Sequence, residues 1–262
     1  MTKRRMKGGA LLLAISAACV AVPAGAQNTP TPAYQPPARG TLNSESTRAN
    51  NRLDAVMRPD MDTAQSIQAY QRLLIFANCS VRSSAGTMTE ALAAPPRSSA
   101  EDARFGRLQE RLAGCPSNPI GILSLERGAF SEAMYRAMAP ASIDEKAITA
   151  KSADTMKFIE AEDTWNKLRE PNDRAMIEAT NCLVAVQPGI ANRLLLTAHG
   201  SAEEKAALND LFAKAPDCAG ATRPKNISSA FLRAFVADST YRLSVSDVGS
   251  KFFPGLRTAS VK

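Results

Sequence analysis

The sequence predicts an all-α fold of two tandem helical modules, each of about four helices closed by its own disulfide, joined by a helical connector. Three observations support this prediction. The segment Asn78-Cys79-Ser80-Val81 is matched 103 positions later by Asn181-Cys182-Leu183-Val184. In each copy the next cysteine, Cys115 or Cys218, follows 36 positions after the first. Apolar residues also recur at helical spacing in both copies.

Other positions repeat at the same distance. The pairs that are 103 residues apart include Gly86 with Gly189, Ser98 with Ser201, Glu101 with Glu204 and Leu108 with Leu211. An insertion of three residues changes the distance to 106 for the last helix, where Arg127, Glu132, Tyr135 and Arg136 match Arg233, Asp238, Tyr241 and Arg242. We therefore interpret the chain as a duplicated module. Its period is far from the roughly 34 residues of tetratricopeptide repeats, so a standard solenoid is not indicated.

Residues 1–26 have the three regions of a secretory signal peptide. Basic residues open the segment, residues 11–22 form an apolar run, and Ala24-Gly25-Ala26 is a small-residue cleavage site. The apolar run is too short to cross a bilayer. We expect cleavage and export to the periplasm or beyond, with a retained anchor or a lipid on Cys19 as the alternatives. The residues before Cys19 lack the large apolar side chain that we expect at a lipidation site.

Charge argues against two classes of function. The leader holds four of the 32 Lys and Arg residues and none of the 25 acidic ones, which leaves the mature chain at +3. So small a surplus, without a clustered basic face, disfavours nucleic-acid binding. The mature chain also has no long apolar segment, so an integral membrane span is disfavoured.

Four cysteines remain after removal of the leader, an even number in a chain that is expected to reach an oxidising compartment. Three pairings are formally possible. The duplicated spacing selects Cys79 with Cys115 and Cys182 with Cys218. A metal site is the competing interpretation, but His199 is the only histidine and the chain has no Cys-x-x-Cys pair. We expect no metal and no cofactor.

Residues 27–61 are rich in Pro, Asn, Thr and Ser and predict a disordered N-terminal segment. Residues 62–140 form the first module. Its first helix places Cys79 in the last turns, and a short helix over 87–93 stops before Pro95-Pro96.

A capping box opens the third helix of the first module, because Ser98 is followed three residues later by Glu101. A fourth helix over 122–138 ends at Pro140. The second module, residues 172–243, repeats this plan, with Ser201 and Glu204 as its capping box.

The connector, residues 141–171, predicts one helix or two and contains the only tryptophan, Trp165. Trp165 either anchors the modules to each other or belongs to an exposed binding face; we expect it to be buried at the junction. The tail, residues 244–262, carries Phe252 and Phe253, which either fold back on the domain or form a docking segment.

The last helix of each copy carries a repeated set of charged and aromatic residues that is a possible binding patch. Its members are Arg127, Tyr135, Arg136, Arg233, Tyr241 and Arg242. The alternative is helix stabilisation, with Glu132–Arg136 and Asp238–Arg242 as surface pairs and the tyrosine hydroxyls near water. We favour the alternative, because clustered charges are often structural.

His199 invites a catalytic triad with Ser201, but the sequence argues against one. The position that matches His199 in the first copy is Pro96, and Ser201 already has a capping role. No Gly-x-Ser-x-Gly elbow is present. We therefore expect His199 to be a solvated loop residue and predict no catalytic residues.

At the elements Cys, Ser201-Ala202-Glu203-Glu204, Cys and Arg127-Gly128-Ala129 with Tyr-Arg, the chain resembles small exported bacterial proteins that carry the same duplicated block and have no assigned activity. The first copy has Ser98-Ser99-Ala100-Glu101-Asp102 as a variant of the acidic motif. The resemblance covers about residues 62–243. It implies a periplasmic helical protein and supplies no catalytic residues.

Three functions remain as hypotheses. The leading one is a periplasmic protein that binds or scaffolds an envelope protein or ligand through helix faces or the groove between modules. The second is a small-molecule-binding domain with a pocket between the copies. The third is a hydrolase that uses His199. The sequence does not identify the partner or the oligomeric state.

Overall fold

The structure is a computed structural model that describes residues 64–112, 114–116, 123–139, 152–219, 224, 227–253 and 255–256. All of these lie in one compact unit. The predicted signal peptide and the predicted disordered segment 27–61 lie outside the described residues. We call the described residues 64–139 the first half and 171–245 the second half, and residues that are 103 or 106 positions apart are counterparts.

The described part of the chain is all-α, as predicted. Ten helices follow one another within these residues: α1 Ala64–Leu92, α2 Ser99–Arg111, α3 Leu123–Met138, α4 Ser152–Trp165, α5 Pro171–Val186, α6 Pro188–Leu196, α7 Ala202–Ala213, α8 Pro216–Ala219, α9 Ser229–Val245 and α10 Gly249–Phe252. None of them is long and apolar enough to cross a membrane. The connector contributes one described helix, α4.

The first two predicted helices of the first half run as a single element, α1, with a kink at Ser84. The backbone of Ser84 is not helical (φ −161°, ψ 64°), and its hydroxyl lies 2.7 Å from the Thr87 hydroxyl. Its counterpart Gln187 (φ −128°, ψ 56°) separates α5 from α6. Pro188 follows directly and has no N–H to continue the helix. Both halves thus bend at the same position.

Two helices, α3 and α9, form the centre of the molecule. Every residue from 125 to 135 and from 230 to 241 is buried. The two helices cross where Gly128 meets its counterpart Ala234: a Cβ added to Gly128 would lie 2.4 Å from the Ala234 Cβ. This close approach requires glycine. Helix α1 packs on α3, and α5 packs on α9.

Both halves contribute to one hydrophobic core. In the first half the Phe130 ring lies 5.8 Å from Phe76 and 5.2 Å from Phe105. The described part of the tail folds back, because Phe252 and Phe253 are buried and the Phe253 ring meets Tyr135 edge-on at 5.5 Å. Of the two alternatives for these aromatics, folding back on the domain is the one observed.

The predicted disulfides are present. Cys79–Cys115 joins α1 to the segment after α2, with a Cα–Cα distance of 5.8 Å. Cys182–Cys218 joins α5 to α8 at 5.5 Å. Closing loops of this length stabilises a fold by about 3 to 4 kcal/mol each in the chain-entropy model. Disulfides of this kind are typical of an oxidising environment.

Candidate functional site

The repeated arginines of the predicted binding patch are interior residues. Arg127 and Arg233 are the largest fully buried side chains, 2% and 0% exposed. Tyr135 and Tyr241 are buried as well. The repeated set therefore does not form one exposed surface. Its arginine and tyrosine side chains contact other groups in the interior instead.

Arg127, on central helix α3, makes contacts with both halves. Its Nε donates to the Asp238 carboxylate at 3.0 Å and its Nη1 to Glu101 Oε1 at 2.7 Å. The guanidinium also donates to the backbone oxygens of Ala94 at 3.2 Å and Leu92 at 3.0 Å. We call Arg127, Glu101, Asp238 and Arg169 the first cluster.

Arg233, on central helix α9, is bound in the same way. Its Nε and Nη2 each donate to one Glu132 oxygen at 2.8 Å, and its Nη1 donates to Glu204 Oε1 at 3.0 Å. The backbone oxygens of Thr197 and Leu195 accept further hydrogen bonds at 2.9 and 3.3 Å. We call Arg233, Glu132, Glu204 and Arg136 the second cluster.

The two sets of contacts match residue for residue. Each arginine binds the acid of the opposite central helix, the capping acid of its own half and two backbone oxygens of its own half. The counterparts are Arg127 and Arg233, Glu132 and Asp238, Glu101 and Glu204, Leu92 and Leu195, Ala94 and Thr197. Ion pairs between α3 and α9 are thus reciprocal.

Both predicted capping boxes are present. The hydroxyls of Ser98 and Ser201 each accept a hydrogen bond, at 3.1 Å, from the backbone N–H three residues later. The carboxylates of Glu101 and Glu204 accept from the N–H before the cap, Arg97 at 2.5 Å and Gly200 at 2.6 Å. Those residues have positive φ, 65° and 85°. Each capping acid thus holds the helix start and the buried arginine.

The two clusters differ in the additional partners of Asp238 and Glu132, the acids on the central helices. Asp238 also accepts from Arg169, in the turn after α4, and from the Ser131 hydroxyl at 3.0 Å. Glu132 accepts from the Tyr70 hydroxyl at 3.2 Å and pairs with Arg136 at 2.8 Å. Each cluster then contains two guanidinium groups and two carboxyl groups.

Two of the buried acids, Asp238 and Glu204, have a pKa that is lowered by their partners. Burial alone would raise the pKa of Asp238, but the charges of Arg127 and Arg169 outweigh it and the pKa falls below its usual value. Burial also opposes ionisation of Glu204, yet His199 and Arg233 lower the pKa of that carboxyl. Removal of one of these arginines would therefore leave a buried carboxylate with too little positive charge beside it, which costs free energy.

His199 is buried, and the expectation of a solvated loop residue is wrong. Its side chain is 0% exposed, and its Nδ1 lies 2.7 Å from Glu204 Oε1. The Tyr70 ring covers it edge-on at 4.9 Å. Its Nε2 has no hydrogen-bond partner among the described residues. His199 thus contacts a carboxylate but no hydroxyl, so a triad is not assembled there.

The predicted surface pairs are only half right. Glu132 and Arg136 pair at 2.8 Å as the helical spacing predicts, but Glu132 is 0% exposed, so the pair does not lie on the surface as expected. Arg242 instead donates to Glu162 of α4 at 2.7 Å, because Arg127 and Arg169 occupy Asp238.

The tyrosine hydroxyls are not near water as expected. Tyr135 donates to Asn192 at 2.7 Å, which ties α3 to α6 of the opposite half. Tyr241 is buried, at 3% exposed.

Trp165 is half-buried and does not fill the junction as expected. The Arg242 guanidinium stacks over its ring at 4.0 Å from the centroid. The roles of Tyr70 and Arg169 were also not predicted. A charged residue between apolar neighbours in a helix, as at Arg233 within Phe231-Leu232-Arg233-Ala234-Phe235, is the sequence signal that could have indicated the clusters.

Within the described ranges, no group of three or more His, Cys, Asp or Glu side chains is placed to hold a metal ion. No family model matches the chain, and neither a curated protein nor a solved structure matches it.

Proposed function

We propose that the protein is an exported helical repeat protein that binds or scaffolds another protein at the cell envelope. One observation supports this proposal: the repeated charged side chains that could bind a ligand are already bound to each other in the interior. Arg127 and Arg233 each bind two carboxylates and backbone oxygens. What the described part of the chain offers a partner is therefore its surface.

Internal duplication is part of the proposal. The matched contacts of Arg127 and Arg233, and the crossing of α3 and α9 at counterpart residues, support two copies of one module packed about an approximate twofold axis. Such an arrangement is the isologous interface of a homodimer formed within one chain. The same motifs support the resemblance to exported bacterial proteins with a duplicated block.

Export to the periplasm rests on the signal-like residues 1–26 and is supported by the two disulfides. In that compartment the disulfides and buried ion pairs would provide a rigid framework.

The surface carries large apolar side chains that are suited to protein contact. Each is more than a third exposed: Ile75, Met156, Leu168, Val186, Leu196 and Val245, at 38 to 57%. Ile75, Met156 and Leu168 are more than half exposed.

Site-specific cross-linking in intact cells tests this function. A photoreactive amino acid at Ile75, Leu168 or Leu196 should give a discrete adduct with an envelope protein, identified by mass spectrometry. The same group at Lys205, a polar exposed position on α7, is the matched control. Equal labelling at Lys205 and the apolar positions, or only self-adducts, would contradict a protein-binding role.

A further inference from the structure

Helix α4 lies antiparallel to α9 and α10 and is attached to them by side-chain ion pairs. The three pairs, in order along α4, are Asp154–Lys251 at 2.6 Å, Lys157–Asp247 at 3.7 Å and Glu162–Arg242 at 2.7 Å. The Arg242 guanidinium also stacks on Trp165 at the end of α4. The contacts thus run the length of the helix.

One of these pairs is exposed to solvent on both sides, and a second on one side only. Lys157 and Asp247 are 63% and 91% exposed, whereas Lys251 is 55% exposed and its partner Asp154 is 13% exposed. Exposed ion pairs contribute little to stability and are screened by salt. The N-terminal part of α4 is therefore held by its weakest contacts.

The apolar attachment of α4 is also small. Phe158 is its only fully buried hydrophobic side chain, and Ile159 is partly buried. The other inward positions are polar, with Thr155 and Glu162 among them. The indole Nε1 of Trp165 is buried without a hydrogen-bond partner among the described residues. A buried donor without a partner costs free energy, which weakens the attachment of α4 in this position.

Neither disulfide loop contains α4. The disulfide loops span 79–115 and 182–218, and α4 lies between them. Its C-terminal side is anchored, because Arg169 in the following turn binds Asp238 in the first cluster. Helix α4 also packs against α5, which follows that turn, and this packing is lost if α4 moves away. The turn at 166–170 is thus the anchored end of α4.

We propose that α4 is a displaceable strap over a helix-binding groove formed by α5, α9 and α10, and that the groove accepts an acidic amphipathic helix of a partner protein. The strap itself is the template for that partner. Residues 152–165 carry four carboxylates and one ammonium group, and the surface beneath them presents two cations, Arg242 and Lys251, and one carboxylate, Asp247. This proposal rests on the protein-binding function and specifies the partner's chemistry.

Hydrogen exchange on the full chain tests the strap. Backbone amides of α4 should exchange faster than those of residues 230–241. The Asp154→Asn substitution should accelerate α4 exchange by roughly two- to fivefold, the effect expected for loss of one partly exposed ion pair, and salt of about 0.5 M should act in the same direction. Glu178→Gln removes an exposed pair with Arg174 in α5 and is the matched control. Exchange of α4 at the rate of α9 in all variants would overturn the strap.

A labelled peptide with the sequence of residues 152–165 tests the groove in trans. Asp154→Asn opens the strap and keeps Lys251, so the peptide should bind roughly two- to fivefold more tightly than to the unmodified chain. Lys251→Gln also opens the strap but removes the groove cation, so it should bind no more tightly than the unmodified chain.

Equal fluorescence anisotropy titrations for the three proteins would overturn the groove. Adducts at Leu196 or Ile75 would in that case still support a protein-binding function, because these residues lie outside α4, α9 and α10.

Discussion

At the scale of single residues, the arginines that fill the interior are the unusual feature. A buried ion pair is weak evidence for stability as such, because desolvation offsets much of the attraction. Arg127 and Arg233 nevertheless each bind an acid of the opposite half, so each of these ion pairs depends on how the two halves pack. We infer that their role is to specify how the two halves meet.

Replacing Arg127 by Gln should destabilise the fold strongly. The change leaves Asp238 and Glu101 buried with less positive charge, and breaking one side of a buried pair costs about 3–5 kcal/mol. Arg174→Gln removes a solvent-exposed pair with Glu178 and should cost at most about 1 kcal/mol. Urea unfolding followed by circular dichroism measures both, and similar midpoints for the two variants would exclude a specifying role.

The pH dependence of the free energy of unfolding should reveal the contribution of the Glu204 carboxylate. Its pKa in the folded state lies below the reference value of 4.5, because the interactions with His199 and Arg233 outweigh burial. A carboxyl whose pKa is lowered in the folded state contributes its full stabilisation at pH values above its pKa in the unfolded chain. This contribution is lost as the pH falls through the pKa of the folded state.

Glu204→Gln should therefore be less stable than the original chain at neutral pH, and the difference should shrink below about pH 4.5. Chemical unfolding at a series of pH values gives this difference directly. The exposed variant Glu178→Gln controls for loss of a carboxylate. A difference that stays constant down to acid unfolding would contradict the proposed linkage.

At the scale of helices, the crossing of α3 and α9 depends on one missing side chain. Gly128→Ala adds a Cβ that would lie within 2.6 Å of three Ala234 atoms, two of them backbone atoms. Alanine favours a helix over glycine by about 1 kcal/mol. Overpacking of a rigid contact typically costs about 1–3 kcal/mol, so we expect net destabilisation.

Gly106→Ala in α2 is the matched control, because no atom lies within 4 Å of the added Cβ. That variant should gain about 0.5–1 kcal/mol from helix propensity alone. Thermal unfolding compares the two. Stabilisation of similar size in both variants would show that α3 and α9 are not in close contact.

The sequence was informative where the interactions are local. The capping boxes at Ser98 and Ser201, the pairing of Cys79 with Cys115 and the Glu132–Arg136 pair all follow from spacing along the chain. The Asp238–Arg242 pair fails, although its spacing is the same, because Arg127 and Arg169 compete for Asp238.

Contacts between distant segments could not be read from periodicity. His199 follows a short helix and precedes a glycine, which indicates a loop, whereas the ring of Tyr70, 129 residues earlier in the chain, packs against its imidazole. The partner of Arg127 lies 111 residues away. Repeat spacing identifies counterpart residues but does not state that the two copies face each other.

At the scale of the whole molecule, the halves should behave as two parts of one particle. Each half has its own disulfide, yet its central arginine binds an acid supplied by the other half. Both halves also share one hydrophobic core. Covalent continuity between them is thus less important than the interface between α3 and α9.

Cutting the chain between the halves tests this prediction. A protease site inserted between residues 141 and 150 allows the folded protein to be cleaved after purification, with both disulfides intact. The two fragments should co-elute as one species of unchanged size in native size-exclusion chromatography and separate in denaturant. In the Asp238→Asn background the Arg127 and Arg169 guanidinium groups lose their shared carboxylate, so cleavage should release the fragments more readily. Fragments that elute as independent folded monomers would show that the reciprocal ion pairs do not hold the halves together.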